Sequence, residues 1–141
     1  GRKALAGYLG APSEQDFDEL GQTLARFKNG IDAIWLKRMG RDDAALWYDK
    51  VDFSQVKVLI VEWTHGNSDF YCGVDLPVFL YSTPQETMTY RVSRARDGAA
   101  DSPFVTMEQR LLESQAHKAK IILSREGKVL SWSEYCKLAV S

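Results

Sequence analysis

Residues 62–77, EWTHGNSDFYCGVDLP, concentrate the residue types that most often take part in chemistry. They include His65, Cys72 and the three carboxylates Glu62, Asp69 and Asp75. A histidine base beside a cysteine thiol is the arrangement of a nucleophilic hydrolase or transferase. Imidazole, thiolate and carboxylate groups are also the ligands that zinc prefers. The stretch is therefore either a reaction centre or a polar turn that uses the same residues.

The spacing of these side chains favours the turn. Residues 66–69, GNSD, are turn formers, each for its own backbone reason. Phe70, Cys72 and Val74 then alternate with other residues, which predicts a strand with a buried, unreactive thiol. Side chains at 69 and 72 of such a strand point to opposite faces, so a metal site is not expected. We predict a hairpin turn at 64–69 without metal or cofactor.

An enzymatic alternative stays open for the same stretch. A small hydrolase or transferase would use Cys72 as the nucleophile and His65 as its base. With only two histidines in the chain, other acid–base schemes would need carboxylates with shifted pKa values, which a sequence does not reveal. The motifs GxxxxGK[ST], GxGxxG, HExxH and GxSxG are absent from the sequence.

The second candidate site is the arginine run at 91–97, RVSRARD. On the strand that we predict for 88–95, Arg94 and Arg96 share one face and Arg91 lies on the other. Guanidinium groups hold phosphates and carboxylates through paired hydrogen bonds, and nearby tyrosines could stack on bases. The net charge of −1 and the missing aromatic motif of RNA-binding sheets argue against nucleic acid. A nucleic-acid-binding domain is therefore the second alternative.

Four tryptophans are more than a domain of this size needs for its core, and tryptophan and arginine are the residues that anchor interfaces. The leading hypothesis is a non-enzymatic domain that binds another, unidentified protein. The predicted interaction surface consists of Trp63, His65, Asp69, Arg91, Arg94 and Arg96.

Composition predicts the class of protein and its surroundings. The 141 residues are 45% hydrophobic and 26% charged, as in an ordinary globular domain. The apolar runs are too short to cross a bilayer, so no membrane partner is expected. Two cysteines 64 positions apart suggest neither a disulfide framework nor a zinc site, which favours a reducing, cytoplasmic location. The start at Gly1 leaves open that the sequence is a piece of a longer polypeptide.

Periodicity predicts the elements before and within the sheet. Residues 1–12 read as an arm, and Ser13 as the cap of a helix over 14–28 that ends at Asn29-Gly30. Residues 31–50 fit either two short helices or a hairpin, and the apolar spacing of 3–4 favours helices. The run at 56–61 predicts a strand buried on both faces. Further strands are predicted at 70–75, 78–82 and 88–95.

The last part of the chain predicts a helix from Thr106, a hairpin over 120–132 and a closing helix. Ser131 and Glu134 have the spacing of a capping box for that closing helix, which should cover 132–139. Together these elements predict one α+β domain over residues 13–139. Its mostly antiparallel sheet would have about five or six strands, with helices packed on one face.

Overall fold

The computed structural model describes residues 7–40, 45–94 and 103–139, and this part of the chain forms a single small α+β domain, as predicted. In chain order its elements are α1 (Phe17–Lys28), β1 (Ala33–Met39), β2 (Leu46–Asp52), β3 (Val78–Leu80), α2 (Pro84–Arg94), α3 (Pro103–Ser114), a short 3-10 helix (Ala116–Lys118), β4 (Ile121–Leu123), β5 (Val129–Leu130) and α4 (Trp132–Ala139). The five strands form two small sheets, β1-β2 and β3-β4-β5, rather than one larger sheet.

Helix α1 ends where the sequence predicts and begins three residues later. Asp16, not Ser13, is its N-cap, because the Asp16 carboxylate accepts a 2.9 Å hydrogen bond from the Glu19 backbone N–H. The residues before it form a turn around the Ala11 carbonyl. At the other end Asn29 is the C-cap, and Gly30 follows with a positive φ of 72°.

The prediction of short helices over 31–50 is wrong, since this region is the antiparallel hairpin β1-β2. Seven residue pairs connect its strands, from Ala33–Asp52 to Met39–Leu46. Apolar residues lie on both faces of the hairpin, so their spacing imitates a helical period. Ile34 is buried against the rest of the domain, while Trp35 beside it is exposed. The alternation of burial is therefore that of a strand.

Residues 88–94 are also helical rather than extended, because they belong to α2. Thr83 and Glu86 form a capping box: the Glu86 carboxylate accepts from the Thr83 N–H at 2.7 Å, and Thr83 Oγ1 accepts from the Glu86 N–H at 3.2 Å. Pro84 occupies the first helical position, where a missing N–H costs nothing.

The three-stranded sheet carries the larger core. β3 pairs with β4 in parallel and β4 pairs with β5 in antiparallel fashion. One face of the sheet is buried with α4 and the 3-10 helix; its core members are Phe79, Tyr81, Ala116, Ile122, Leu130 and Tyr135. The hairpin β4-β5 turns at Gly127, whose φ is +79°. Here the predictions of hairpin, glycine turn and closing helix are confirmed.

Two further predictions need correction. Helix α3 begins at Pro103 instead of Thr106, with proline again in the first turn. Residues 56–61 and 70–75 belong to no sheet in the described part of the chain, although 56–61 is extended beside α1. The two-sided burial expected for 56–61 is absent as well, since Val58 and Ile60 are exposed. None of the described helices is long and apolar enough to cross a membrane.

Candidate interaction surface

Two of the predicted surface residues, Trp63 and His65, pack inward against α1. The ring centroid of Trp63 lies 5.3 Å from that of Phe17 and 5.1 Å from that of His65. His65 retains 5% of its exposure, and its ring lies edge-on to Phe17 at 6.4 Å. The structure thus brings these three rings together as packing, with Trp63 partly exposed at the margin.

Asp69 is part of a group of polar contacts between the loop 63–72 and the 3-10 helix, made with His117 and Lys118, which we call the clasp. Its carboxylate lies 3.1 Å from the imidazole nitrogen Nε2 of His117. The neighbouring ammonium of Lys118 donates to the backbone carbonyl of Tyr71 at 2.7 Å and to that of Ser68. It also lies 5.2 Å from the centre of the Tyr71 ring. These contacts tie the loop to a segment about 50 positions further along the chain.

The polar residues of the loop bond to the backbone. Asn67 Nδ2 donates to the Val78 carbonyl at 2.9 Å, and the Tyr71 hydroxyl donates to the Gly66 carbonyl. The Gly66 N–H closes a turn onto the Trp63 carbonyl at 2.9 Å. Burial raises the pKa of Tyr71, so its hydroxyl stays a donor well above neutral pH. The predicted turn is present, but no hairpin follows it.

Cys72 is exposed, which corrects the prediction of a buried thiol. At residues 70–72 the observed burial is the reverse of the predicted one: Tyr71 is buried at the domain core, whereas Phe70 and Cys72 are exposed. His65, the base of the enzymatic alternative, is enclosed by aromatic rings on the inner side. In the described part of the chain no cluster of three or more histidine, cysteine or acidic residues has the geometry of a metal site.

Of the predicted arginines, Arg91 and Arg94 lie on α2, which replaces the strand expected at 88–95. The Arg91 guanidinium donates to Thr87 Oγ1 and lies 3.6 Å from the sulfur of Met88. Arg94 is the last residue of α2, and positions 91 and 94 fall on the same side of the helix because they are three apart. A strand would have placed them on opposite faces. Arg96 lies outside the described residues.

A different surface stands out, which the prediction of short helices over 31–50 did not reveal. On one face of the hairpin β1-β2, four large side chains project outward. They are Trp35, Met39, Leu46 and Tyr48, and we call them the hairpin face. In the observed register Met39 pairs with Leu46 and Lys37 pairs with Tyr48, so the four side chains lie on one face. The sequence alone does not give this register.

The extended residues 56–62, which we call the 56–62 segment, form a second exposed apolar feature. Leu59 and Val61 pack against the cluster of Phe17, Leu24 and Tyr71. Val58 and Ile60 point the other way and retain 74% and 83% of their exposure. The segment therefore alternates like a strand, yet both of its faces are apolar.

The three-stranded sheet is the third such feature, because the outer strands of its second face are exposed, although Ile121 and Leu123 of the central strand are partly buried. Leu80 of β3 and Val129 of β5 are exposed, opposite the buried Phe79 and Leu130. Parallel strand pairs such as β3-β4 normally occur in sheets with both faces covered.

Together these features define a small α+β domain with open apolar faces. The chain is 47% identical, over 133 residues, to the bifunctional alpha-galactosidase/sucrose kinase of Mediterraneibacter gnavus. The match covers 92% of this chain and 14% of that enzyme, so the chain spans about one seventh of its length. No protein-family profile matches the chain, and no solved structure matches it either.

Proposed function

We propose that this chain is one part of a larger carbohydrate-processing enzyme, and that its own role is to bind the rest of that enzyme. The observation that carries the proposal is the match to the Mediterraneibacter gnavus enzyme. Nearly the whole chain resembles about one seventh of a protein with two named activities. The chain is then a non-enzymatic interaction domain in the sense predicted from the sequence, and its partner is the remaining polypeptide.

The exposed apolar residues support this proposal. The hairpin face, the 56–62 segment and the open face of the three-stranded sheet would each lose contact with water when the rest of the enzyme covers them. Burying such side chains contributes about 25 cal/mol for every Å² removed from water. In the described residues, the polar groups of the 63–72 loop are used to hold the fold. Binding through apolar contacts is what this arrangement supports best.

The proposal is tested by supplying the chain separately to an enzyme that lacks it. The stretch that matches this chain is deleted from the Mediterraneibacter gnavus enzyme, and hydrolysis of alpha-galactosides and phosphorylation of sucrose are measured. We expect the deletion to abolish at least one activity and the added 141-residue chain to restore it. The isolated chain should show neither. Full activity of the deletion protein, or no recovery on addition, would contradict the proposal.

A matched pair of variants checks that the hairpin face is the contact. Leu46 on that face and Leu138 on α4 are about equally exposed, at 49% and 46%. We expect Leu46→Lys to reduce the restored activity at a given chain concentration, because a charge would enter an apolar contact. Leu138→Lys should restore as well as the unaltered chain. Equal effects of the two variants would exclude the hairpin face.

A second candidate function rests on the arginines of α2. The matched enzyme is named a sucrose kinase, and arginine side chains stabilise the charge on a phosphoryl group during its transfer. Positions 91 and 94 lie on one side of α2. We therefore propose that Arg91 and Arg94, with Arg96, bind phosphate in the assembled kinase.

This candidate is tested in the assembled enzyme. Arg91→Ala and Arg94→Ala should each lower sucrose phosphorylation by about tenfold or more and leave galactoside hydrolysis unchanged. The control is Arg38→Ala on β1, where the arginine is exposed and pairs with Asp49 at 3.2 Å. A loss of both activities would indicate a structural role instead. Salt-sensitive binding of RNA or DNA oligonucleotides by the chain would favour the nucleic-acid alternative.

A further inference from the structure

We infer that the 56–62 segment is a strand of a sheet whose neighbouring strand comes from the remaining polypeptide of the larger enzyme. The inference rests on the proposed function and names the chemistry of the partner. That partner is an extended, mainly apolar stretch that pairs through its backbone, so that its apolar side chains pack beside Val58 and Ile60.

The backbone of the segment is open. Just before it, the Val56 N–H donates to the Phe53 carbonyl at 2.9 Å, and just after it the Trp63 carbonyl accepts from Gly66 at 2.9 Å. Between these two bonds, residues 57–62 make no backbone hydrogen bond with any other described residue, and they belong to neither sheet. An unpaired extended stretch of this kind is a template for another strand.

The side chains of the segment have the pattern of an inner strand. A strand with one face in water alternates apolar and polar residues, whereas a strand covered on both faces is apolar throughout. Residues 58–61 read VLIV without a polar break. Leu59 and Val61 already have their cover from α1, while Val58 and Ile60 have almost none. The segment is therefore covered on the face of Leu59 and Val61 and exposed on the face of Val58 and Ile60.

The segment is also held ready for pairing. Its inner side chains pack on Phe17 and Leu24 of α1 and on Tyr71, and Tyr71 is in turn held by Lys118. A stretch that is already held in place loses little conformational entropy when a strand joins it. Pairing of an added strand with exposed backbone groups is an established mode of protein recognition.

The rest of the enzyme is the occupant that the observations favour. About six sevenths of the matched enzyme lies outside this chain, so most of the polypeptide that could supply a strand is outside the structure. A contiguous match over 92% of the chain leaves out only residues near its ends, and therefore includes the 56–62 segment. A second copy of this chain is the competing occupant, and the experiment distinguishes the two.

Hydrogen exchange measured by mass spectrometry tests the inference. In the isolated chain we expect the amides of residues 57–62 to exchange close to the unprotected rate, while those of β4 are slowed by its two neighbouring strands. The probe is the Mediterraneibacter gnavus enzyme lacking the matched stretch, added in excess. In the mixture the amides of 57–62 should exchange at least about a hundredfold more slowly.

The double variant Val58→Lys/Ile60→Lys provides a second readout, with Val92→Lys on α2 as its control, since Val92 is also exposed. We expect the double variant to bind the probe at least about tenfold more weakly and the control to bind normally. Slowed exchange across β4 in both variants verifies that they are folded.

The outcomes separate the inference from the proposed function. Binding of the probe with unchanged exchange at 57–62 would overturn the inference and leave the proposed function standing. No binding at all would overturn both. Protection of 57–62 in the chain alone, rising with its concentration, would assign the open edge to a second copy and contradict the inference.

Discussion

Lys118 makes three contacts with the loop 63–72. Its ammonium donates to two backbone carbonyls, those of Ser68 and Tyr71, and contacts the face of the Tyr71 ring. In the sequence this lysine is one charged residue in AHKAK and predicts nothing about the loop. The turn predicted for this loop agrees with the side-chain hydrogen bonds of Asn67 and Tyr71, which donate to backbone carbonyls.

Replacing Lys118 with methionine should destabilise the domain. Lys118→Met keeps the apolar stem and removes the donor, so two partly buried carbonyls lose a charged partner. We expect the free energy of unfolding to fall by about 1–3 kcal/mol. Lys50→Met on β2, where the lysine is exposed, should change it by less than about 0.5 kcal/mol. Urea unfolding of both variants measures this, and equal effects would show that the clasp contributes nothing.

Glu134 connects the stability of α4 to pH. Hydrogen bonds from the backbone and side chain of Ser131, and then the charge of Lys128, lower the pKa of Glu134 to about 2. Because this folded-state pKa lies below the ordinary value of 4.5, the carboxylate stabilises the fold above about pH 4.5. That contribution is lost as pH falls from 4.5 towards 2.

The matching variant is Glu134→Gln. We expect it to be less stable than the unaltered chain at pH 7, and the difference to shrink steadily below pH 4.5 as the native carboxylate takes up a proton. Urea unfolding between pH 7 and pH 3 follows the difference. A difference that does not depend on pH would contradict the capping role of the charge.

At the scale of elements, local signals could be read from the sequence and non-local ones could not. Helix α1, the turn at Gly127 and the box at Ser131 are specified by residues within a few positions, and their predictions hold. The capping box of Thr83 and Glu86 is an equally local signal that the sequence contains. Pairing of β1 with β2 and the bare 56–62 segment depend on what lies beside a strand, which apolar spacing alone does not encode.

Alanine in place of two glycines, one in α1 and one in the β4-β5 turn, should change the stability of the domain in opposite directions. Gly21 lies inside α1 with open space where a Cβ would be, so Gly21→Ala should stabilise the domain by up to about 1 kcal/mol. Gly127 has equal space but a φ of +79°, so Gly127→Ala should destabilise it by about 1–2 kcal/mol. Thermal and urea unfolding of both variants check the signs. Stabilisation by alanine at 127 would contradict the turn geometry.

At the scale of the whole molecule, the residues that the structure describes form two modest core clusters and leave three apolar features open. One core gathers around Phe79 and Tyr135, and the other around Phe17 and Tyr71. The hairpin face, the 56–62 segment and the outer face of the three-stranded sheet lie outside both. The fold class could be predicted from composition and periodicity, whereas the open surface emerged only from the three-dimensional arrangement.

The most direct test of the proposed role is the mass of the complex that the chain forms. The chain and the Mediterraneibacter gnavus enzyme lacking the matched stretch are mixed and separated by gel filtration with light scattering. We expect one complex with one copy of each, with a Kd below about 1 μM. Separate elution of the two components at concentrations well above that value would contradict the claim that this chain binds the rest of a larger enzyme.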